Sequence, residues 1–121
     1  MVPTVISQAE ESRRQSQMRN LTRYNPPRYN GKGSAIQSGK WLRAFTKILD
    51  AMAITSGIDR VRLATLHLDA QADEWWDGMT RARRPETYTW DEFVRTFNTR
   101  FFPRAIRQDL DDRFWMTDFR T

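Results

Sequence analysis

The run Thr89-Trp90-Asp91-Glu92-Phe93-Val94-Arg95-Thr96-Phe97, continuing to Arg100-Phe101-Phe102-Pro103, constrains this chain more than any other segment. It reads as a helix whose start, buried face and stop are all written in sequence. The Thr89 hydroxyl can accept a bond from the free backbone N–H of Glu92. The Glu92 carboxylate can reach back to the N–H of Thr89, completing a capping box. Trp90, Phe93, Val94, Phe97 and Phe101 recur at spacings of three and four, so they share one face. Pro103 lacks an amide N–H and disfavours helical geometry at Phe102, which punctuates the run. So aromatic a face needs a matching apolar surface elsewhere in the chain.

Three further helices supply it. In the first, Trp41, Leu42, Phe45, Ile48, Leu49 and Met52 follow helical spacing to about Ala53. Ser34 with Gln37, or Ser38 alone, can cap its start, and Ser56-Gly57 is expected to end it. A second is expected from an Asp59 cap to Leu68, with Val61, Ala64 and Leu68 in one stripe. A third, capped by Asp69 and running to about Ala82, buries Ala72, Trp75, Trp76 and Met79, although one of two adjacent tryptophans must point partly away. Beyond Pro103, Ile106, Leu110 and Phe114 space a last helix by fours. No segment alternates apolar and polar residues, so no sheet is expected.

The fold class expected is therefore all-α, a bundle of about five helices over residues 24–121. Its core is assigned to Trp41, Leu42, Phe45, Leu49, Leu68, Trp75, Trp76, Trp90, Phe93, Phe97, Phe101, Leu110 and Phe114. Residues 1–23 are polar and apolar-poor, and read as an extended or disordered basic arm, with a short, fraying helix around Gln8–Met18 as the alternative. Residues 1–43 hold eight Lys and Arg against two Glu, so the chain's positive charge sits mainly at this end. Such an arm attracts polyanions without reading sequence, and Arg13, Arg14, Arg19 and Arg23 are the candidate RNA contacts.

The chain has no cysteine and a single histidine, His67, which argues against thiol catalysis and a transition-metal site. His67 reads as structural or exposed. Ser34 and Ser38 read as caps rather than nucleophiles. Asn30-Gly31-Lys32-Gly33-Ser34 lacks the spacing and preceding strand of a phosphate-binding loop. Asp73, Glu74 and Asp77, and likewise Asp109, Asp111 and Asp112, read as wet helix faces. No enzyme activity, cofactor or metal is expected. No apolar stretch approaches the roughly 20 residues that span a bilayer, and the N-terminus lacks a signal-peptide core. An intracellular, cytoplasmic protein without a membrane contact is expected.

In order along the chain, Pro26-Pro27-Arg28-Tyr29-Asn30-Gly31, Trp41-Leu42, Arg62-Leu63-Ala64 to Leu68, Ala72, Trp75-Trp76, Thr89 to Phe93, Phe97, Arg100 to Pro103 and the Leu110–Phe114 helix form an ordered set. Over residues 24–119 this set resembles the Gag capsid region of gypsy-type LTR retrotransposons, the retrotransposon gag family. Tyr29 stands where that family more often has phenylalanine. The resemblance implies a capsid N-terminal lobe that packs with copies of itself, and with an adjoining C-terminal capsid lobe, into a shell around RNA. It also implies an alternative, because domesticated relatives such as Arc bind short peptides in a hydrophobic groove. A structural assembly protein and a binding module, for peptide or RNA, are thus both expected readings. The candidate contact surfaces are the exposed parts of the Trp41 helix and the 54–60 and 83–89 loops.

Overall fold

The computed structural model describes residues 2–102, with side chains from Gln8 onward. Five helices follow one another: α1 (Val2–Arg23), α2 (Ala35–Ala51), α3 (Gly57–Thr65), α4 (Ala70–Ala82) and α5 (Trp90–Phe101). A 3-10 turn, Pro85–Thr87, joins α4 to α5. Among the described residues there is no strand, only an isolated parallel bridge between Tyr29 and Leu68. The expected all-α class holds, but the five helices are a different set. The Leu110–Phe114 helix, and those two core assignments, lie outside the described residues.

Where an extended or disordered arm, or a short helix around Gln8–Met18, is expected, the described residues form α1, a 22-residue helix. Residues 8–19 are mostly Gln, Glu, Arg and Ala, which favour helix intrinsically. Glu10 pairs with Arg13 and Arg14 one turn on. α1 is held to the domain by one fully buried side chain, Leu21, with Met18 half-buried, by polar bonds from Arg13 and Gln17 to Asp59, and by a bond that Arg62 donates to Gln17 Oε1. A hydrophobic-periodicity reading cannot register polar docking of that kind. Asn25, in the left-handed region at φ 51°, and then Pro26-Pro27 turn the chain out of α1.

Both capping boxes are formed. Ser34, not Ser38, caps α2, with Gln37 returning the bond, and Thr89 and Glu92 do the same for α5. Ser38 is buried and donates to the Ala35 and Phe101 carbonyls at 2.7 and 3.0 Å. α2 stops at Ala51, before the expected Ser56-Gly57. The Ala53 N–H donates to the Asp50 carbonyl and that of Ile54 to the Leu49 carbonyl, a Schellman closure with Ala53 left-handed at φ 59°. Ser56 then caps α3 by accepting from the Asp59 N–H, so Asp59 is the buried third residue of that helix rather than its cap. α3 ends at Thr65, short of Leu68, because Leu68 leaves the helix to bridge with Tyr29.

Residues 26–33 form a strap across this junction. Tyr29 N–H donates to the His67 carbonyl at 3.1 Å, and Asp69 N–H returns a bond to the Tyr29 carbonyl at 2.8 Å. Arg28 binds both oxygens of Asp69 at 2.8 Å, so the Asp69 carboxylate holds the strap and makes no side-chain cap for α4. Gly31, at φ 87°, lets the strap approach so closely that a β-carbon there would lie 2.7 Å from the Ala72 nitrogen.

Beneath the strap the aromatic face of α5 meets the other helices. Phe93 and Phe97 are fully buried and Phe101 nearly so. Phe97 lies 5.3 Å from Trp41 and 5.6 Å from Tyr29, centroid to centroid, and Trp76 meets Phe93 edge-on at 5.4 Å. Trp41, Leu42, Phe45, Leu49, Leu68 and Trp76 are buried as expected. Trp75 and Trp90 are only half-buried against this core. Trp75 is the tryptophan that leans outward, and Trp90, at the first position of α5, stacks on Phe93 with the Arg60 guanidinium over its ring.

Candidate interaction surfaces

His67 and the Asn30–Ser34 loop both have structural partners. His67 is buried, with Nδ1 2.9 Å from the Leu63 carbonyl and its ring against Phe45. The Asn30–Ser34 loop is a local turn in which the Asn30 side chain accepts from the Lys32 N–H at 2.8 Å. Asp73, Glu74 and Asp77 are exposed, and Asp77 pairs with Arg81 along α4. Asp109, Asp111 and Asp112 lie outside the described residues. Among the described residues, no group of three or more His, Asp or Glu side chains is placed to hold a metal ion. Nor is any described helix long and apolar enough to cross a membrane.

The four arginines named as RNA contacts do not form one strip. Arg13 turns inward to Asp59 and also binds Glu10. Arg14 stands 3.7 Å from Glu10, and Arg19 donates to Ser16 Oγ at 3.1 Å. Arg23 lines a separate shallow concavity with Asn20, Tyr24 and Met52.

Asp59 is the centre of the α1–α3 contact, and sequence reading missed it. It is 4% exposed and receives Arg13, Gln17 and, at 3.6 Å, Arg62. Burial works to raise its pKa. The bonds from Arg13 and Gln17 and the charges of Arg13 and Arg62 outweigh that, leaving the carboxyl below its ordinary value. Arg62 moves the opposite way for a cation: burial lowers its pKa, Arg14 and Arg13 add to the fall, and Asp59 only partly opposes it. Its Nε is buried without a hydrogen-bond partner. The sequence signal was slight, an Asp followed three residues on by Arg at a helix start.

At the start of α5, Glu92 is held below the ordinary glutamate range, first by the Thr89 backbone N–H and then by Arg83. Arg83 also stacks over the Tyr88 ring at 4.1 Å, so one guanidinium joins the end of α4 to the start of α5.

Two larger concavities remain open. One, about 650 Å³, lies between the strap and α2, with Arg28, Lys32, Lys40 and Trp41 among its walls. The other, about 480 Å³, is lined by Ile58, Val61, Leu66, Trp76 and Pro85, with Arg14 and Arg62 beside them. Ile58 and Leu66 are 49% and 48% exposed, and so give this second groove two large apolar side chains open to water. Two of the three candidate contact segments meet here, the 54–60 loop through Ile58 and the 83–89 loop through Pro85 and Glu86. The third, α2, exposes Ile36 elsewhere.

Comparison with curated proteins gave no match, and comparison with solved structures gave none. A family model, the N-terminal capsid-like domain of the retrotransposon-derived protein PEG10, matches residues 23–102. That span runs from the last residue of α1 through the strap and α2–α5, the unit whose aromatic core is described above. With two thirds of its length inside that match, the chain belongs to the retrotransposon-derived, Gag capsid-like N-terminal domain family.

Proposed function

We propose that this domain is a structural building block that associates with copies of itself, and with an adjoining C-terminal capsid lobe, into a particle around RNA. The observation that carries the reading is the family membership of residues 23–102. The physical character of the block supports it. Its interior is a closed set of interlocking rings, and its polar side chains serve caps, the strap and helix docking. Tyr24, Ile36, Ile58 and Leu66 stay exposed as large hydrophobic groups. Scattered apolar contacts of this size are individually weak, and weak contacts suit a shell because multivalency amplifies them. The test is light scattering and electron microscopy of the chain joined to a second capsid lobe, with and without single-stranded RNA, over a range of salt. Particles that assemble as concentration rises are expected. Absence of particles under every condition would overturn the proposal.

The groove beside Ile58 and Leu66 favours a second reading, a binding module for a short peptide with apolar and acidic side chains. Titration with such peptides should shift amide resonances of α3 and Pro85–Thr87. Shifts confined to other surfaces would reject it.

A further inference from the structure

α1 lies outside the family match except for its last residue, yet it is docked on the matched domain. Its middle reads Arg13-Arg14-Gln15-Ser16. A serine preceded at the third and second positions by arginine is the pattern that arginine-directed protein kinases accept. Their clefts offer carboxylates to both guanidinium groups and take the surrounding backbone extended. Ser12, on the same helix, follows Ala9 and Glu10 and lacks the pattern. Thr22 has arginine only at the third position before it.

In the docked state the pattern is masked. Arg13 is bonded to Asp59 and Glu10, and Arg14 faces Glu10. Ser16 is half-buried, with Arg19 on its hydroxyl, and its backbone is helical. The Asp59 carboxylate of α3 therefore occupies one guanidinium that a kinase must take, and docking holds the backbone around Ser16 helical rather than extended. The restraint is a light one: Leu21 is the single fully buried side chain described in α1. Left-handed Asn25 and the two prolines after it place a pivot between α1 and the strap.

We propose that Ser16 is a phosphorylation site for an arginine-directed kinase, and that the substrate is the state in which α1 has lifted from α3. In the transfer, Ser16 Oγ attacks the γ-phosphorus of ATP and the new O–P bond forms. The bond from that phosphorus to the β,γ-bridging oxygen breaks, ADP departs, and the hydroxyl proton passes to the kinase's carboxylate. The rate scales with the fraction of molecules in the open state, so weaker docking speeds modification. The proposal does not depend on whether the domain self-associates.

The test incubates the full 121-residue chain with the catalytic subunit of cAMP-dependent protein kinase and ATP, and maps phosphate by mass spectrometry. Phosphate is expected on Ser16 and not on Ser12, with no signal at that position in Ser16→Ala. Leu21→Ala removes the buried anchor and leaves the pattern intact, so the rate should rise about tenfold or more, the equivalent of one lost charge-assisted bond or larger. Asp59→Asn loosens the same contact from the α3 side and should also accelerate modification. Circular dichroism of both variants checks that α2–α5 remain folded. No phosphate on Ser16 in the wild type or either variant would overturn the site. A rate indifferent to both substitutions would overturn the coupling to α1 release.

Discussion

Phe97→Ala strikes the point where the most elements converge. The Phe97 ring is fully buried and lies 5.1–6.0 Å from the rings of Phe101, Trp41, Tyr29, Phe93 and Trp75. Loss of its transfer free energy alone is about 1.5–3 kcal/mol. A cavity walled by rings, held by helices and by the Tyr29 strap, collapses poorly, which brings the expected total to about 3–5 kcal/mol. Trp90→Ala is the comparison. Trp90 is half-buried at the first position of α5 and stacks on one ring, Phe93, so about 1–2 kcal/mol is expected. For a domain of this size each kcal/mol moves the thermal midpoint by about 4–8 °C. Circular dichroism at the helical minimum during heating, with urea titration as a second probe, should therefore show Phe97→Ala losing at least about 1 kcal/mol more than Trp90→Ala loses. Equal losses, or an unmoved midpoint for Phe97→Ala, would refute this assignment of the core.

Three further outcomes follow from particular residues. The folded Asp59 carboxyl sits below its unfolded value of about 3.9, so its contribution is fully present above that pH and fades as pH falls through the lower folded value; in Asp59→Asn, amide exchange in α1 should quicken at neutral pH and lose this acid dependence. Ala53→Gly should stabilise by up to about 1 kcal/mol in urea, because relief of about 1–2 kcal/mol of left-handed strain exceeds the entropy of one glycine. Gly31→Ala should cost about 2 kcal/mol or more in the same assay, from the same strain plus the approach to Ala72, and should free the Tyr29 N–H to exchange.

What could be read from sequence was what lay within one or two helical turns. Thr89 with Glu92 is legible because both partners of the capping box are three residues apart. The α5 stripe is legible because its burial follows its own period. α1 was not, since its attachment depends on Asp59, more than 40 residues away, and on a single leucine. The same distance hid the role of Asp69, whose carboxylate serves Arg28 in the strap rather than its own helix. The end of α2 was misplaced because a Schellman closure usually carries glycine, and here it carries Ala53. The two loops proposed as contact surfaces were named from their position between helices. That they meet in one groove depends on how α3 packs against the Pro85–Thr87 turn, which no local pattern encodes.

The proposed self-association of this aromatic block is tested most directly by sedimentation of the chain alone. A weight-average mass of 14.4 kDa at high dilution that climbs reversibly as the solution is concentrated is the predicted result. A mass that stays at 14.4 kDa up to the solubility limit, at low and high salt, would contradict it.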